Sequence, residues 1–320
     1  MAAGCTAVVK PAHLTPLTAL ALQNLAMEAG IPADVLQLVI ADHETTPSVG
    51  TEFCTNSLVQ KVSFTGSVSV GKKLYEQCSS TVKRISLELG GNAPFVVFED
   101  ADLDEAANAA VASKFRNAGQ TCVCADRFLV HSSVLDTFVE KFAKATQEQV
   151  GAVGNGMDSG TQMGPMITSE SVDQTHAKVK TAVVEGATLV TGGERCEGLG
   201  SDQFYKPTIL RDVTPQMDIW KTETFGPVAA ICSFDTEEEA IQLANDSSVG
   251  LASYFCTNNL SRAFRFSNRL ETGLVGVNAG IISTATAPFG GVKESGIGRE
   301  GSSMGLAEYL ETKYVFMNYE

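Results

Sequence analysis

The chain has 320 residues, of which 44% are hydrophobic and 19% charged, and acidic residues outnumber basic ones 37 to 23 for a net charge of −14. This length predicts about two domains with a full hydrophobic core, and the negative charge argues against nucleic acid as a partner, because phosphates need a basic surface. No apolar run reaches the roughly 18 residues of a membrane span, and eight cysteines are too few for a disulfide scaffold, which indicates the cytoplasm or the mitochondrial matrix.

The first ninety residues alternate between strand-like and helical patterns. The chain opens almost at once on a strand, and strand–helix–strand units then repeat. Such repetition predicts crossover units around a parallel sheet, and therefore an α/β fold. Strands are predicted over 5–10, 35–40, 61–65 and 85–89, and helices over 17–29, 49–55 and 66–78.

A second block starts at Phe95. Asp102 and Glu105 have the spacing of a capping box for a helix over 102–115, and Gly119 ends that helix, so that residues 120–124 lie on the following loop. The domain boundary is placed near Gly90. Further helices are predicted around 135–142 and 236–244, and strands over 274–278 and 313–319.

Two glycine-rich stretches come close to nucleotide-binding motifs. Residues 296–301 match G-x-G-x-x-G, but they do not follow a strand, which favours a glycine loop with unusual backbone dihedrals. Residues 66–73 nearly match a phosphate-binding loop, but Lys73 replaces the Ser or Thr that would hold magnesium, so an NTPase is disfavoured. The turn at Gly66 either offers helix N–H groups to a phosphate or is a plain strand–helix turn.

Cys122 is the candidate nucleophile. It lies in Gly119-Gln-Thr-Cys-Val-Cys124, on a predicted loop past a helix and among small and polar residues, where a thiolate can meet a substrate. A buried structural cysteine or half of a metal site fits the same pattern. A metal site would need further ligands close by, and the nearest, His131, follows a strand-like run, so no metal is predicted.

Glu88 is the candidate general base. It stands within the apolar stretch Ile85-Ser-Leu-Glu-Leu-Gly-Gly91, at the end of a predicted strand. Partial burial there would raise the pKa of its carboxyl into the range useful to a base. From the pattern alone, an edge-strand glutamate that points to water is the simpler alternative.

Both residues lie in motifs that resemble the aldehyde dehydrogenase superfamily. Glu88 in Leu87-Glu-Leu-Gly-Gly91 is followed 34 residues later by Cys122 in Gly-Gln-Thr-Cys. Other matching segments occur in the family's order: 8–12 (VVKPA), 64–67 (FTGS), 223–227 (ETFGP) and 288–291 (PFGG). Residues 113–124 (SKFRNAGQTCVC), 280–283 and 308–314 are most similar to the succinate-semialdehyde dehydrogenase subgroup.

The resemblance implies an aldehyde dehydrogenase-like α/β fold. Residues 1–90 would be the remainder of a Rossmann-type cofactor domain, 91–290 a complete catalytic domain, and 291–320 a return segment with a C-terminal strand for oligomerisation. It implies that the Cys122 thiolate attacks a small aldehyde, that hydride passes to NAD or NADP, and that Glu88 activates water to hydrolyse the thioester. The backbone N–H of Cys122 would supply half of an oxyanion hole. The implied cofactor contacts are Lys10 and Glu223 for the riboses, Gly66 and Ser67 for the pyrophosphate, Gly50 for close backbone approach and Phe225 near the nicotinamide.

Within that subgroup, Arg116 bears on the choice of substrate and Cys124 on redox regulation. The resemblance implies that Arg116 binds the distal carboxylate of succinate semialdehyde with Ser283 as partner; its alternative is a cation that stabilises a helix end. The resemblance also implies that Cys124 can close a disulfide with Cys122 as a redox switch, and the alternative is that Cys124 is an inert neighbour.

The sequence departs from the family in two places. His13 stands where the family has a glutamate that disfavours a 2′-phosphate, which predicts that NAD and NADP are both accepted. Family members also carry a long segment before the position of Met1, with an oxyanion-hole asparagine and part of the oligomerisation hairpin. The family implies a homo-oligomer, and the alternative to an active enzyme is a weakly active fragment that associates with full-length subunits.

Overall fold

The computed structural model describes residues 1–319. Contacts within the chain separate it into two compact units. The N-terminal unit contains Met1–Glu88, Thr284–Phe289 and the described residues from Ile297 onward, and the central unit contains Leu89–Ser283 and Gly290–Gly296.

Strands and helices alternate along most of the chain and are numbered in chain order. The strands are β1 (Ala7–Val9), β2 (Leu36–Leu38), β3 (Lys61–Thr65), β4 (Arg84–Glu88), β5 (Ala93–Val97), β6 (Ala125–His131), β7 (Thr188–Thr191), β8 (Thr208–Arg211), β9 (Val228–Phe234), β10 (Val249–Gly250), β11 (Ala252–Cys256), β12 (Leu274–Val277), β13 (Val292–Lys293) and β14 (Gly296–Ile297). The helices are α1 (Leu17–Glu28), α2 (Thr46–Thr55), α3 (Val68–Cys78), α4 (Leu103–Lys114), α5 (Leu135–Val150), α6 (Ser169–Val184), α7 (Asp218–Lys221), α8 (Glu237–Asn245), α9 (Leu260–Arg269) and α10 (Ser302–Ala307).

The N-terminal unit contains two small sheets. β1 and β2 form a two-stranded parallel sheet, and β4 lies between β3 and β14 in a three-stranded one. A buried cluster of Cys54, Val62 and Cys78 joins α2, β3 and α3. α1, by contrast, has no buried residue. This unit therefore buries little of its apolar surface within residues 1–319.

A seven-stranded sheet forms the core of the central unit. Its order is β12-β11-β5-β6-β9-β8-β7, and its strands are parallel except for β7, which runs antiparallel to β8. β5 and β11 are buried along their whole length, as expected of central strands in a parallel sheet. The Phe142 ring of α5 lies 5.3 Å from that of Phe128 in β6 and 6.0 Å from that of Phe115 after α4. Aromatic side chains thus join the helices to the sheet.

Polar side chains begin two helices of the central unit at the predicted positions. The Asp102 carboxylate accepts hydrogen bonds from the amides of Asp104 and Glu105 at the start of α4. The Thr236 hydroxyl accepts one from the Glu239 amide at the start of α8. Each cap satisfies donors that have no partner within the helix.

The predicted α/β fold with a parallel sheet is confirmed. Each strand and helix predicted before residue 120 is present, with its ends shifted by at most a few residues. The strand predicted over 313–319 is absent from the described chain, because a strand needs a hydrogen-bonded neighbour and none of residues 1–319 pairs with it. Tyr314 and Phe316 of this segment are 85% and 75% exposed.

The stretch 296–301 opens as the two-residue strand β14 and follows the two-residue strand β13, so the expectation that no strand precedes it is wrong. The predicted unusual backbone dihedrals are present at its three glycines. Gly296, Gly298 and Gly301 have φ of 139°, 89° and 66°. Residues with a Cβ rarely adopt such backbone conformations. The spacing G-x-G-x-x-G therefore reflects backbone geometry in this chain.

Candidate active site

Cys122 lies on a loop whose backbone is held in an unusual conformation. A short turn separates α4 from this loop. Within it, Asn117 and Ala118 are left-handed, with φ of 52° and 53°, and Gly119 follows with φ of 74°. Left-handed backbone costs a residue with a Cβ about 1–2 kcal/mol, so the surrounding structure must fix the turn. A Cβ at Gly119 would overlap the Gly226 carbonyl, which shows how closely the turn is packed.

Hydrogen bonds hold the loop on both sides of Cys122. The Cys124 amide donates to the Thr121 carbonyl at 2.8 Å and closes a turn around Cys122. The buried Tyr254 hydroxyl donates to the Val123 carbonyl at 2.7 Å. Cys122 itself is half-buried. A thiol on a fixed, accessible loop is the arrangement that covalent catalysis needs.

Cys124 differs from Cys122 in its burial. It is 4% exposed, and its thiol faces the Arg116 carbonyl at 4.0 Å. Burial raises the pKa of this thiol, and Lys114 partly offsets the increase. A thiol kept protonated is a poor nucleophile. None of the eight cysteines forms a disulfide within residues 1–319, and the redox switch stays a prediction.

Arg116 lines an open cavity of about 440 Å³ in the central unit. Phe115, Gln149 and Ile281 form part of its wall. Among residues 1–319, no carboxylate forms an ion pair with the Arg116 guanidinium. Ser283 is exposed and follows Ile281 by two positions. The cavity therefore presents a cation that has no anionic partner within the described chain.

Glu223 and Phe225 lie between α7 and β9. The Gly91 amide donates to Glu223 Oε1 at 3.0 Å, and a Cβ at Gly91 would lie 2.5 Å from the Cys122 carbonyl oxygen. Gly91 therefore contacts both the Glu223 carboxylate and the loop that carries Cys122. Burial raises the pKa of the Glu223 carboxyl to about 7, and the charge of Asp126 adds to the increase. Phe225 has φ of 47° and is 43% exposed.

A buried ion pair lies near the same segment. Lys114 Nζ is 2.6 Å from Asp126 Oδ1, and the two side chains are 0% and 5% exposed. The sequence does contain a signal for it, since a lysine ends an apolar helix and an aspartate follows the start of a buried strand. Pattern alone misses the pairing, because it depends on the reversal of the chain between positions 114 and 126.

In the N-terminal unit, Glu88 is the last residue of β4 and is 5% exposed. Neither of its carboxylate oxygens has a hydrogen-bond partner among residues 1–319. Burial raises the pKa of this carboxyl to about 8, Glu300 adds to the increase and Arg299 opposes it. The water-facing alternative for Glu88 is therefore wrong. A carboxyl that releases its proton slightly above neutral pH suits a general base.

The turn at Gly66 leads directly into α3. The Ser67 hydroxyl caps this helix by accepting a hydrogen bond from the Val70 amide at 3.4 Å. The Gly66 amide donates to the Glu88 carbonyl at 3.0 Å, and a Cβ at Gly66 would overlap the Phe64 ring. A capped helix N-terminus behind a glycine turn has the donors that a phosphate group prefers.

The other predicted cofactor contacts lie elsewhere in the N-terminal unit. Lys10 follows β1, and its ammonium donates to the next carbonyl at 2.6 Å. Gly50 lies within α2, where a Cβ would be 3.4 Å from Leu74 of α3. This places Gly50 at the contact between the two helices, while its approach to a cofactor stays a prediction. The His13 ring meets His43 edge-on, with centroids 5.8 Å apart.

Two kinds of site are absent from the part of the chain that the structure describes. No group of three or more His, Cys, Asp or Glu side chains there is placed to hold a metal ion. No helix within residues 1–319 combines the length and the apolar character needed to cross a bilayer.

Known proteins share these motifs. The model of the aldehyde dehydrogenase family matches residues 1–315. The chain belongs to the aldehyde dehydrogenase family. Mitochondrial succinate-semialdehyde dehydrogenase of Mus musculus is 51% identical over 315 residues, which are 98% of this chain and 60% of that protein. Two solved structures are also similar. An E. coli NADP dependent enzyme has a TM-score of 0.94 and 49% identity, and the match covers 98% of this chain and 63% of that one. Succinate-semialdehyde dehydrogenase of Burkholderia pseudomallei has a TM-score of 0.92 and 49% identity, and the match covers 96% of this chain and 62% of that one.

Membership in the aldehyde dehydrogenase family confirms the resemblance that rests on residues 87–91 and 119–122. It also confirms the predicted fold, since the similar structures superpose on nearly the whole chain. The chain spans about 60% of the length of the curated relatives it matches.

Proposed function

We propose that the chain oxidises succinate semialdehyde to succinate, with NAD or NADP as the hydride acceptor. The observation that carries this proposal is the cysteine loop, which holds the half-buried Cys122 on a backbone fixed by left-handed residues and by Tyr254. Family membership supports the reaction, and 51% identity to a succinate-semialdehyde dehydrogenase supports the substrate.

In the first step, the Cys122 thiolate adds to the aldehyde carbon and forms a thiohemiacetal. The Cys122 amide N–H stabilises the negative charge that develops on the former carbonyl oxygen. Loss of hydride from the same carbon leaves a thioester on Cys122. The nicotinamide cofactor, when bound, supplies the hydride acceptor.

In the second step, the Glu88 carboxylate takes a proton from a water molecule whose oxygen attacks the thioester. Succinate leaves and the Cys122 thiolate is restored. Because the pKa of Glu88 is about 8, about a tenth of the molecules hold the base form at pH 7. The rate of this step therefore rises with pH until it levels off above pH 8.

The residues that carry the cofactor motifs fit a nicotinamide dinucleotide by their chemistry. The Glu223 carboxylate accepts hydrogen bonds from ribose hydroxyls, and the exposed Phe225 offers an aromatic surface to the nicotinamide. The N-terminus of α3, capped by Ser67, offers amide donors to the pyrophosphate. Lys10 binds a ribose, and Gly50 allows the backbone to come close.

Arg116 recognises the end of the substrate that does not react. Its guanidinium lines the 440 Å³ cavity without a carboxylate partner among residues 1–319, and a guanidinium binds a carboxylate through two parallel hydrogen bonds. Ser283 adds a hydroxyl donor. An aldehyde with a distal carboxylate is the substrate that uses both groups.

The test follows NAD(P)H formation by the purified chain with succinate semialdehyde. Replacement of Cys122 by Ser is expected to lower the rate by about 10³-fold or more. Cys196→Ser removes another half-buried thiol of the central unit and is the matched control, expected to retain the rate. Succinate semialdehyde and cofactor should also slow alkylation of Cys122. No turnover, together with alkylation that ignores both ligands, would contradict the proposal and favour a non-catalytic fragment.

We also propose that copies of the chain associate through residues 313–319. Tyr314, Phe316 and Tyr319 are 75–85% exposed, and the resemblance to the family implies a strand between subunits for this segment. Light scattering of the wild-type chain is expected to give the molar mass of an oligomer. The Phe316→Asp variant is expected to give a smaller mass. An unchanged mass in that variant would exclude this segment as the interface.

A further inference from the structure

Four charged side chains come together in the central unit around the segment 222–224. They come from separate elements: Lys114 from the end of α4, Asp126 from β6, Lys178 from α6 and Glu223 from the segment itself. Two are cations and two are anions. The proposed reaction uses Glu223 and leaves the other three without a role.

The inner pair of this group is fully enclosed. Lys114 and Asp126 are 0% and 5% exposed, and their charged atoms are 2.6 Å apart. Removing two charges from water usually cancels the gain from their attraction, so a buried ion pair is weak evidence for added stability. The position of this pair beside the segment 222–224 therefore says more about its role than its contribution to stability does.

The segment is held from two sides by opposite charges. Lys178 Nζ donates to the Glu223 carbonyl at 2.7 Å, and to the Thr222 hydroxyl and carbonyl at 2.8 and 3.3 Å. Asp126 Oδ2 accepts from the Thr224 amide at 3.4 Å. The backbone before and after the Glu223 side chain is thus fixed, and the Gly91 amide orients the carboxylate itself.

We propose that Lys114, Asp126 and Lys178 are positioning residues that hold Glu223 in place and set the charge of its carboxylate for binding the cofactor ribose. This inference rests on the proposed function, because it takes Glu223 as the ribose ligand. It adds that the strength of this contact is governed by side chains that do not touch the cofactor.

The charges act on Glu223 in opposite directions. Burial is the largest cause of the raised pKa of its carboxyl, and Asp126 raises that pKa further. Lys114 and Lys178 lower it, as does the hydrogen bond from the Gly91 amide. An ionised carboxylate accepts ribose hydrogen bonds more strongly than a neutral acid does. Cofactor affinity should therefore rise with pH through about 7.

The first experiment measures the dissociation constant of NADPH and NADH by fluorescence between pH 5.5 and 9. Asp126→Asn keeps the shape and removes the negative charge, so the pH at which affinity rises should move down by about one unit. Lys178→Met removes a positive charge and should move it up by a similar amount. Lys144→Met breaks the exposed Lys144–Glu148 pair and is the matched control, with no shift expected.

A second readout needs no cofactor. The ¹³C shift of the Glu223 carboxyl, assigned with Glu223→Gln, gives the titration midpoint of this group directly. A midpoint that moves down in Asp126→Asn and up in Lys178→Met supports the inference. These two variants suffice even if a third, Lys114→Met, fails to fold. Midpoints that do not move, or that move in the same direction in both variants, overturn it. If the wild-type chain binds no cofactor while the carboxyl midpoints still move oppositely, the proposed function fails and the charge coupling stands.

Discussion

The two units of the chain differ in how much apolar surface they bury. In the central unit, β5 and β11 are buried along their whole length, and the Phe128 and Phe142 side chains are 0% exposed. In the N-terminal unit, α1 has no buried residue, and Leu17 and Leu22 are 76% and 62% exposed. The proposed nucleophile therefore stands on a unit with its own core, whereas the proposed base stands on a unit whose core is small. The free energy of unfolding and the catalytic rate should therefore respond differently to substitutions in the two units.

The largest expected effect concerns the core of the central unit. Phe142→Ala should destabilise the unit by about 3–5 kcal/mol, because it leaves a cavity among packed rings. Leu22→Ala, in α1, should change stability by less than about 0.5 kcal/mol. Trp220, the single tryptophan and 1% exposed, reports on the central unit during urea unfolding. Equal shifts of the tryptophan transition in the two variants would contradict the comparison.

The next effect concerns Glu88, the proposed base in the N-terminal unit. Glu88→Gln should lower the steady-state rate by about 10²–10⁴-fold, because it removes the base for hydrolysis. Its first turnover of NAD(P)H should persist, since thioester formation does not need Glu88. In the wild type, protonation of Glu88 removes the base, so the steady-state rate should fall as pH drops below about 8. Stopped-flow absorbance separates the two phases; loss of the first turnover would assign Glu88 another role.

The third effect concerns recognition in the central unit. Arg116→Gln should raise the KM for succinate semialdehyde by about 10–100-fold, since a hydrogen bond to a charged group contributes about 1.5–3 kcal/mol. Butanal, which lacks the carboxylate, should show little change in kcat/KM. Arg116→Lys should recover part of the loss, because it keeps the charge but not the two parallel hydrogen bonds. Equal losses for both aldehydes would show that Arg116 supports the fold and not the specificity.

The smallest effect concerns cofactor choice in the N-terminal unit. His13→Glu restores the carboxylate that disfavours a 2′-phosphate, and should shift the ratio of kcat/KM values towards NAD by about tenfold. His43→Glu, on the ring that meets His13, is the neighbouring control. A wild-type preference for NAD of more than a hundredfold would already contradict the predicted use of both cofactors.

The sequence predicted the local structure well, for physical reasons that differ between elements. Capping residues such as Asp102 and Thr236 act within one helical turn, so their spacing is visible in the chain. The loop at Cys122 was predicted because Gly119 ends a helix pattern. The pairing of Lys114 with Asp126 depends on how the chain reverses, which no local pattern records.

Burial also explains where pattern alone was insufficient. Glu88 has the alternation of an edge-strand residue, and only the packed structure shows that its oxygens are enclosed. The segment 313–319 has the composition of a strand, but a strand forms only where another strand offers hydrogen bonds. Both cases depend on neighbours that are distant in sequence.

The central claim is that Cys122 carries the substrate as a thioester, and one measurement tests it most directly. Glu88→Gln is mixed with succinate semialdehyde and NAD or NADP, quenched in acid after one turnover, digested and analysed by peptide mass spectrometry. The account predicts a succinyl group on the peptide that contains Cys122, and none when the cofactor is omitted. A succinyl group on another cysteine, or no adduct while NAD(P)H is formed, would contradict it.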